Sequence, residues 1–234
     1  MQQSINLLPK QKVSTFILSE LQKANKNTSN FSLYKKAIKK IFKLNTESSH
    51  CSYSTKNHNF FISGFLVGEA SINVSAKKNA TSKFGMVLDP EFNIAQHING
   101  ICYLYAALSL FNTGKIYFKS GSNATFVYKI SNRESLYTKI MPFYEKYVYN
   151  FMCETHKQRI KIFSEILVLF KEKNHTDILF FKNELLPRWD LLRKQKTQSN
   201  ESFTSLIQAQ LFVDAHVFEK KCKKKSSETT RDNA

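Results

Sequence analysis

Cysteine is sparse, and its placement excludes the usual structural uses. Cys51, Cys102, Cys153 and Cys222 are widely spaced and form no C-x-x-C pair, which argues against a zinc ribbon or a disulfide framework and fits a reducing compartment. The six histidines are scattered. His97, on an expected helix, reads as a packing or hydrogen-bonding residue, because no partner stands at metal-ligand spacing. Long hydrophobic runs are missing too. The longest strongly apolar stretch, Ile101 to Phe111, is far short of the ~20 residues that a transmembrane helix needs. The start, Met1-Gln2-Gln3-Ser4-Ile5-Asn6, carries neither a secretory signal nor an arginine-rich transit peptide. Acidic residues are few: 18 Asp and Glu against 35 Lys and Arg.

That imbalance leaves a formal net charge of +17 on 234 residues. A surplus of this size predicts a polyanionic partner, most often nucleic acid, with an anionic membrane surface as the alternative. The length suits one large domain or a core with extensions. The hydrophobic fraction of 42% suits a globular protein. Lys, Asn, Ile, Phe and Tyr are abundant while Gly and Pro are few. The abundant five share A/T-rich codons, which hints at an organellar gene.

The organising stretch is Phe60-Phe61-Ile62-Ser63-Gly64-Phe65-Leu66-Val67-Gly68-Glu69-Ala70-Ser71. Its apolar residues leave no clean polar face, so a helix here is expected to be buried. Gly64 and Gly68 fall on one side of it. Each glycine weakens a helix by about 1 kcal/mol, a cost that makes sense where a second backbone comes close. Glu69 stands at the helix end. Ile72, Val74 and Ala76 then alternate with Ser71, Asn73, Ser75 and Lys77, the pattern of a half-buried strand.

Before that stretch, Val13 to Leu21 and Phe31 to Lys43 carry helical stripes, separated by a loop at Asn25 to Asn30. The lysines at 35, 36, 39, 40 and 43 read equally well as a solvated face or as phosphate contacts. After it, Lys78 to Ser82 turns the chain. From Lys83 to Gln96, Phe84, Met86, Leu88, Phe92 and Ile94 face inward, and Lys83, Val87, Asp89, Glu91 and Asn93 face outward. A helix over His97 to Asn112 follows. Gly114 opens a second hairpin, in which Lys115, Tyr117 and Lys119, then Thr125, Val127 and Lys129, lie on the polar side of a turn at Ser120-Gly121-Ser122. A last core helix, Asn132 to Tyr149, should kink or restart at Pro142. The order α-β-β-α-β-β-α predicts an α+β domain with a four-stranded antiparallel sheet and helices on one face. Its basic face could lie along a DNA major groove. The expected division is a helical, basic extension over 1–57, the core over 58–150, C-terminal helices over 151–217 and a disordered basic tail over 218–234.

A glycine-seamed helix, a carboxylate at its foot and a polar-faced strand resemble the LAGLIDADG motif of homing endonucleases, written here Ile62-Ser63-Gly64-Phe65-Leu66-Val67-Gly68-Glu69-Ala70. The likeness extends through Ala80–Gly85, Asp89–Asn93, Gln96-His97, Lys119–Thr125 and Pro142–Glu145, and covers most of residues 10–210. It is similar to the single-motif type found in algal chloroplasts and encoded in a large-subunit ribosomal RNA intron. The resemblance implies a group I intron-encoded enzyme of a chloroplast, or else a mitochondrion. That enzyme cuts both strands of intronless DNA across the minor groove and leaves short 3′ overhangs.

Such a cut needs an activated water and charge neutralisation, which metal ions held by few carboxylates supply; Mg²⁺ suits that task. One Glu69 per chain is too few, and only one copy of the motif is present. A two-fold homodimer crossing at Gly64 and Gly68 would bring two Glu69 together. By resemblance, Gly68 and Glu69 hold the metal, Gln96 orients the water network and Lys146 is a candidate for the basic residue near the cut phosphate. Asn73, Ser75, Lys77, Lys78, Lys83, Asp89, Glu91, Asn93, Lys115, Tyr117, Lys119, Asn123, Thr125 and Lys129 are the expected DNA contacts. Val67 stands where many members carry a polar or acidic residue. Neither a membrane nor a small-molecule cofactor is expected. The rival readings are an intron RNA maturase, a non-cutting DNA-binding protein of the same fold, and a peripheral membrane protein.

Overall fold

Alternating apolar residues in the middle of the chain build its sheet. A computed structural model describes residues 12–28, 30–44, 55–172, 176–193 and 202–229. Helices α1 (Thr15–Asn27), α2 (Phe31–Ile41) and α3 (Thr55–Glu69) come first. They are followed by β1 (Ala70–Lys78), β2 (Met86–His97), α4 (Ile101–Phe111), β3 (Lys115–Phe118) and β4 (Thr125–Ile130). The strands form one sheet in the order β1-β2-β4-β3. Helix α5 spans 133–151, α6 is Glu154–Lys171, α7 spans 178–193 and α8 is Leu206–Thr229. The expected αββαββα order and the strand phases are both present.

The packing groups the chain into two compact units. One takes the described residues of 1–71, 92–135 and 142–151; the other takes those of 72–91, 136–141 and 152–234. These units cut across the consecutive segments expected from the sequence. In the first, Phe92, Ile94, Ile116, Phe126, Tyr128 and Ile130 are buried, as are Leu104, Ala107, Leu108 and Phe111 of α4. Phe92 is a centre of this core: its ring lies 5.9 Å from that of Phe111 and 6.2 Å from that of Tyr144. Each such side chain contributes roughly 1.5–3 kcal/mol by leaving water. In the second unit, Ile160, Phe163, Ile166 and Leu167 of α6 and Leu185, Leu186 and Trp189 of α7 are buried.

Four local expectations are corrected. Strand β2 begins at Met86 rather than Lys83, because Asn79 to Gly85 form the turn. The Asn79 N–H donates to the Gly85 carbonyl at 2.7 Å, and Gly85 takes φ +73°, a conformation that favours glycine. Asn25 lies in α1, not in a loop. Pro142 neither breaks nor restarts α5. A π-helical segment, Leu136–Ile140, precedes it, and the helix continues to Phe151. Proline lacks an N–H and its ring collides with the carbonyl four residues back in an α-helix; a wider turn relieves both. Pro187 is preceded by a π segment in the same way, Phe181–Leu185. Lastly, the lysine-rich tail is helical as far as Thr229, and residues 230–234 lie outside the described part. An amphipathic register begun by Phe203, Ala209 and Val213, all buried, carries the helix forward.

The N-terminal hairpin is tied to the outer strand by side chains that imitate a strand. The Tyr34 hydroxyl accepts from the Ile116 N–H at 2.8 Å and donates to Asn25 Oδ1 at 2.9 Å. Asn25 Nδ2 in turn donates to the Ile116 carbonyl at 2.9 Å. Burial pushes the Tyr34 phenol well above its ordinary range. A buried N–H left without an acceptor costs about 1–3 kcal/mol, so Tyr34→Phe should lower unfolding stability by that amount in a urea titration. Leu33→Ala, on the exposed side of the same helix, should cost much less.

Candidate functional site

The glycine helix is not buried as expected. Within one chain α3 buries Ile62, Ser63 and Leu66, while Gly64, Gly68 and Glu69 are exposed. Ser63 is satisfied internally, its hydroxyl donating to the Phe60 carbonyl at 2.8 Å. A Cβ built on Gly64 or Gly68 would meet nothing within 4 Å. The chain's own packing therefore does not require glycine at either position. The face is cleared and apolar all the same: Phe61 is 52% exposed, and Tyr103 of α4, its ring 5.9 Å from Phe61 and 5.7 Å from Phe65, is 43% exposed. Sequence reading found the glycines and missed Tyr103, whose only signal was a large aromatic on an otherwise ordinary amphipathic helix.

Glu69 ends α3, and β1 opens at the next residue without a loop. Among the described residues no three His, Cys, Asp or Glu side chains gather into a metal-binding group. One chain thus offers Glu69 as a lone exposed carboxylate beside the cleared face. Gln96 shares the inward phase of Phe92 and Ile94 at the end of β2. Its Oε1 lies 2.6 Å from where a Cβ on Gly100 would stand, so glycine at 100 makes room for this amide at the start of α4.

Lys146 is elsewhere. Its ammonium sits 5.2 Å from the Tyr147 ring, and that ring packs edge-on against Phe60 at 5.8 Å. Hydrogen bonding from Asn59, then from Lys146, holds the Tyr147 phenol below its ordinary range. Asn59 and Glu69 are ten residues apart on one helix, about 15 Å at 1.5 Å per residue. Through Tyr147, Lys146 lies beside the first half of α3.

The polar strand faces form in both units. In the first, pairing aligns Asn93, Lys129 and Lys115 across three strands, and Ala95, Val127 and Tyr117 in the next outward row. Thr125 pairs with His97, and the Lys119 N–H donates to the Thr125 carbonyl at 2.9 Å. The Lys115 ammonium donates to the Asn25 carbonyl, which ties it to the end of α1. Lys119 and Asn123 are exposed. His97 caps a short turn, its Nδ1 accepting from the Asn99 N–H at 3.3 Å, in keeping with a hydrogen-bonding rather than ligand role.

In the second unit Asn73 and Ser75 lie on the outward phase of β1, and Asn73 Oδ1 and Ser75 Oγ are buried without a hydrogen-bond partner among the described residues. Buried polar atoms rarely remain so. Lys77 and Asp89 pair across the strands at 2.9 Å, an arrangement hidden from sequence because the partners are on different strands. Lys78 is turned away from this face, its ammonium 5.7 Å from the Phe203 ring and 5.4 Å from the Phe212 ring. Lys83 sits in the turn and donates to the Thr176 carbonyl at 2.7 Å. Glu91 is half-buried beside this row. The bond to Asp89, above all, raises the Lys77 ammonium pKa. Asp89→Asn should therefore bring the Lys77 pKa down, as read by NMR titration of the Lys77 side chain.

A family profile described as LAGLIDADG endonuclease matches residues 62–167. The chain is 47% identical over 210 residues to DNA endonuclease I-CeuI of Chlamydomonas moewusii, a match that covers 88% of this chain and 94% of that one. The solved structure of the group I intron-encoded homing endonuclease I-CeuI in complex with DNA superposes with a TM-score of 0.81 at 46% identity, over 88% of this chain and 99% of the other. The DNA complex of the archaeal intron-encoded homing endonuclease I-Vdi141I superposes with a TM-score of 0.62 at 27% identity, over 70% and 98% of the two chains. The glycine-faced helix ending in Glu69 and the four-stranded sheet that follows are thus the two halves of a shared architecture, and this chain belongs to the LAGLIDADG endonuclease family.

Proposed function

We propose that this chain is an intron-encoded homing endonuclease that makes a site-specific double-strand break in DNA as a two-fold dimer. The observation that carries the reading is the cleared face of α3, open at Gly64 and Gly68 and ending in the exposed Glu69. Glycine at both positions costs helix stability that one chain does not recover. Two such faces crossing recover it by backbone contact, and they bring two Glu69 carboxylates together at the foot of the seam. The exposed aromatics Phe61 and Tyr103 flank the same face.

The donor set fits a hard cation. The Glu69 carboxylate and the Gly68 carbonyl are oxygen ligands of the kind that Mg²⁺ takes with retained waters. When bound, the metal supplies charge neutralisation at the scissile phosphate and an activated water. The chain's own part is to hold the carboxylates at the dimer axis and to set the Gln96 amide where it orients solvent. Lys146 is assigned no role in cleavage. On the first unit's strands, Asn93 is suited to adenine and Lys129 to guanine or phosphate, and the Ala95, Val127 and Tyr117 row presents apolar surface for thymine methyls. On the second unit's strands, Asn73 and Ser75 lie on the same outward phase as Lys77. The Lys77–Asp89 pair reads as a unit. The target we assign is an intronless large-subunit ribosomal RNA gene in an organelle, the chloroplast first. The algal source of the 47% identical relative supports it.

Purified protein incubated with that DNA should give one Mg²⁺-dependent double-strand cut. Glu69→Gln should bind the same site and cut at least ~10³-fold more slowly, a loss typical of removing transition-state charge stabilisation. Binding without any cut by the wild type would support a maturase or regulator instead.

A Cβ at Gly68 meets nothing in its own chain, so Gly68→Leu should keep its circular dichroism spectrum while sedimentation equilibrium shows a monomer, and cleavage should disappear. A dimer of undiminished strength would rule out this seam. Lys119→Ala should weaken binding to all sequences alike and lower the slope of log K against log salt by about one per protomer.

A further inference from the structure

The second unit carries a feature that cleavage and base reading do not use. The turn between β1 and β2 is gripped by α8. The Lys220 ammonium donates to the Ser82 carbonyl at 2.7 Å. A Cβ on Gly85 would lie 2.6 Å from the His216 ring, so the backbone of the turn packs directly against that side chain of α8. Lys78 lies over the rings of Phe203 and Phe212. Between turn and helix is an open cleft of about 360 Å³, lined by Lys83, Phe84, Asp177, Val217, Lys220 and Lys221 among others. Three lysines from two distant parts of the chain meet one carboxylate there.

The carboxylate is already engaged: Asp177 Oδ1 accepts from the Phe180 N–H at 2.8 Å and caps α7. Lys83 and Lys220 each spend one donor on a backbone carbonyl, which fixes their positions and leaves two N–H groups apiece. Lys220 and Lys221 are exposed. Fixed lysine donors around a half-open cleft, outnumbering its one lining carboxylate, match a phosphodiester rather than a base edge.

We infer that the cleft between the β1–β2 turn and α8, with Lys83, Lys220 and Lys221 as its donors, is a docking site for the phosphate backbone of DNA outside the bases read by the strands. The C-terminal helix is then an ordered clamp on the substrate rather than a loose charged tail. This inference rests on the endonuclease reading above.

The test uses the full-length protein and two target duplexes, one with long flanks and one trimmed by half a helical turn at each end. Lys220→Met/Lys221→Met keeps the aliphatic stems, and its circular dichroism spectrum should stay that of the wild type. On the long duplex its salt slope should fall by about 0.9 for each lost contact. Trimming should weaken the wild type several-fold and the double variant hardly at all, because the contact is already gone.

An unchanged salt slope in the double variant, or equal sensitivity of both proteins to trimming, overturns the inference while the wild type still cuts. Loss of affinity for anionic vesicles with DNA binding intact also overturns it, in favour of a lipid surface. Failure of the wild type to bind either duplex overturns the endonuclease reading itself.

Discussion

A helix stripped of side chains along one face is the constraint from which the rest of this molecule follows. Helix α3 gives up helix propensity at Gly64 and Gly68 and leaves both positions open within its own chain. On the opposite side it buries Ile62, Ser63 and Leu66. Because Glu69 is its last residue and Ala70 the first of β1, the carboxylate and the start of the strand are fixed by one short covalent span.

The positive charge is distributed by structural context, not simply spread over the surface. Lys77 is matched by Asp89, Lys115 by a helix-end carbonyl and Lys83 by another carbonyl, while Lys119 remains exposed. Engaged ammonium groups are held in place, and this favours defined contacts over diffuse attraction. Exposed ones add the long-range, salt-sensitive part. A net charge of +17 therefore contains two populations with different physical roles.

Strand phases were legible because period-two alternation is a local property: Phe92, Ile94, Phe126 and Tyr128 are buried as the pattern requires. The motif was legible because two glycines four apart in an apolar helix are a net loss unless a second backbone approaches them. The course of α5 was not legible, because its π segments shift helical phase without any mark in the hydrophobic pattern. The Lys77–Asp89 pair and the turning of Lys78 to Phe203 and Phe212 depend on contacts between residues distant in the chain, and no window of sequence contains them. Asn25 looked like a loop residue because asparagine usually competes with helix backbone; here its amide is spent on Ile116. The ordered lysine helix was missed because charge composition speaks for solvation and not for the buried Ala209 and Val213 that anchor it.

The engagement of Ile116 has a consequence for assembly. An outermost strand normally offers its free amides and carbonyls to any extended segment that drifts past, which invites uncontrolled growth of a sheet from chain to chain. Here the Ile116 N–H and carbonyl are already occupied by Tyr34 and Asn25, so β3 is a poor template for a stranger. Chains crowded together are thereby steered away from edge-to-edge stacking.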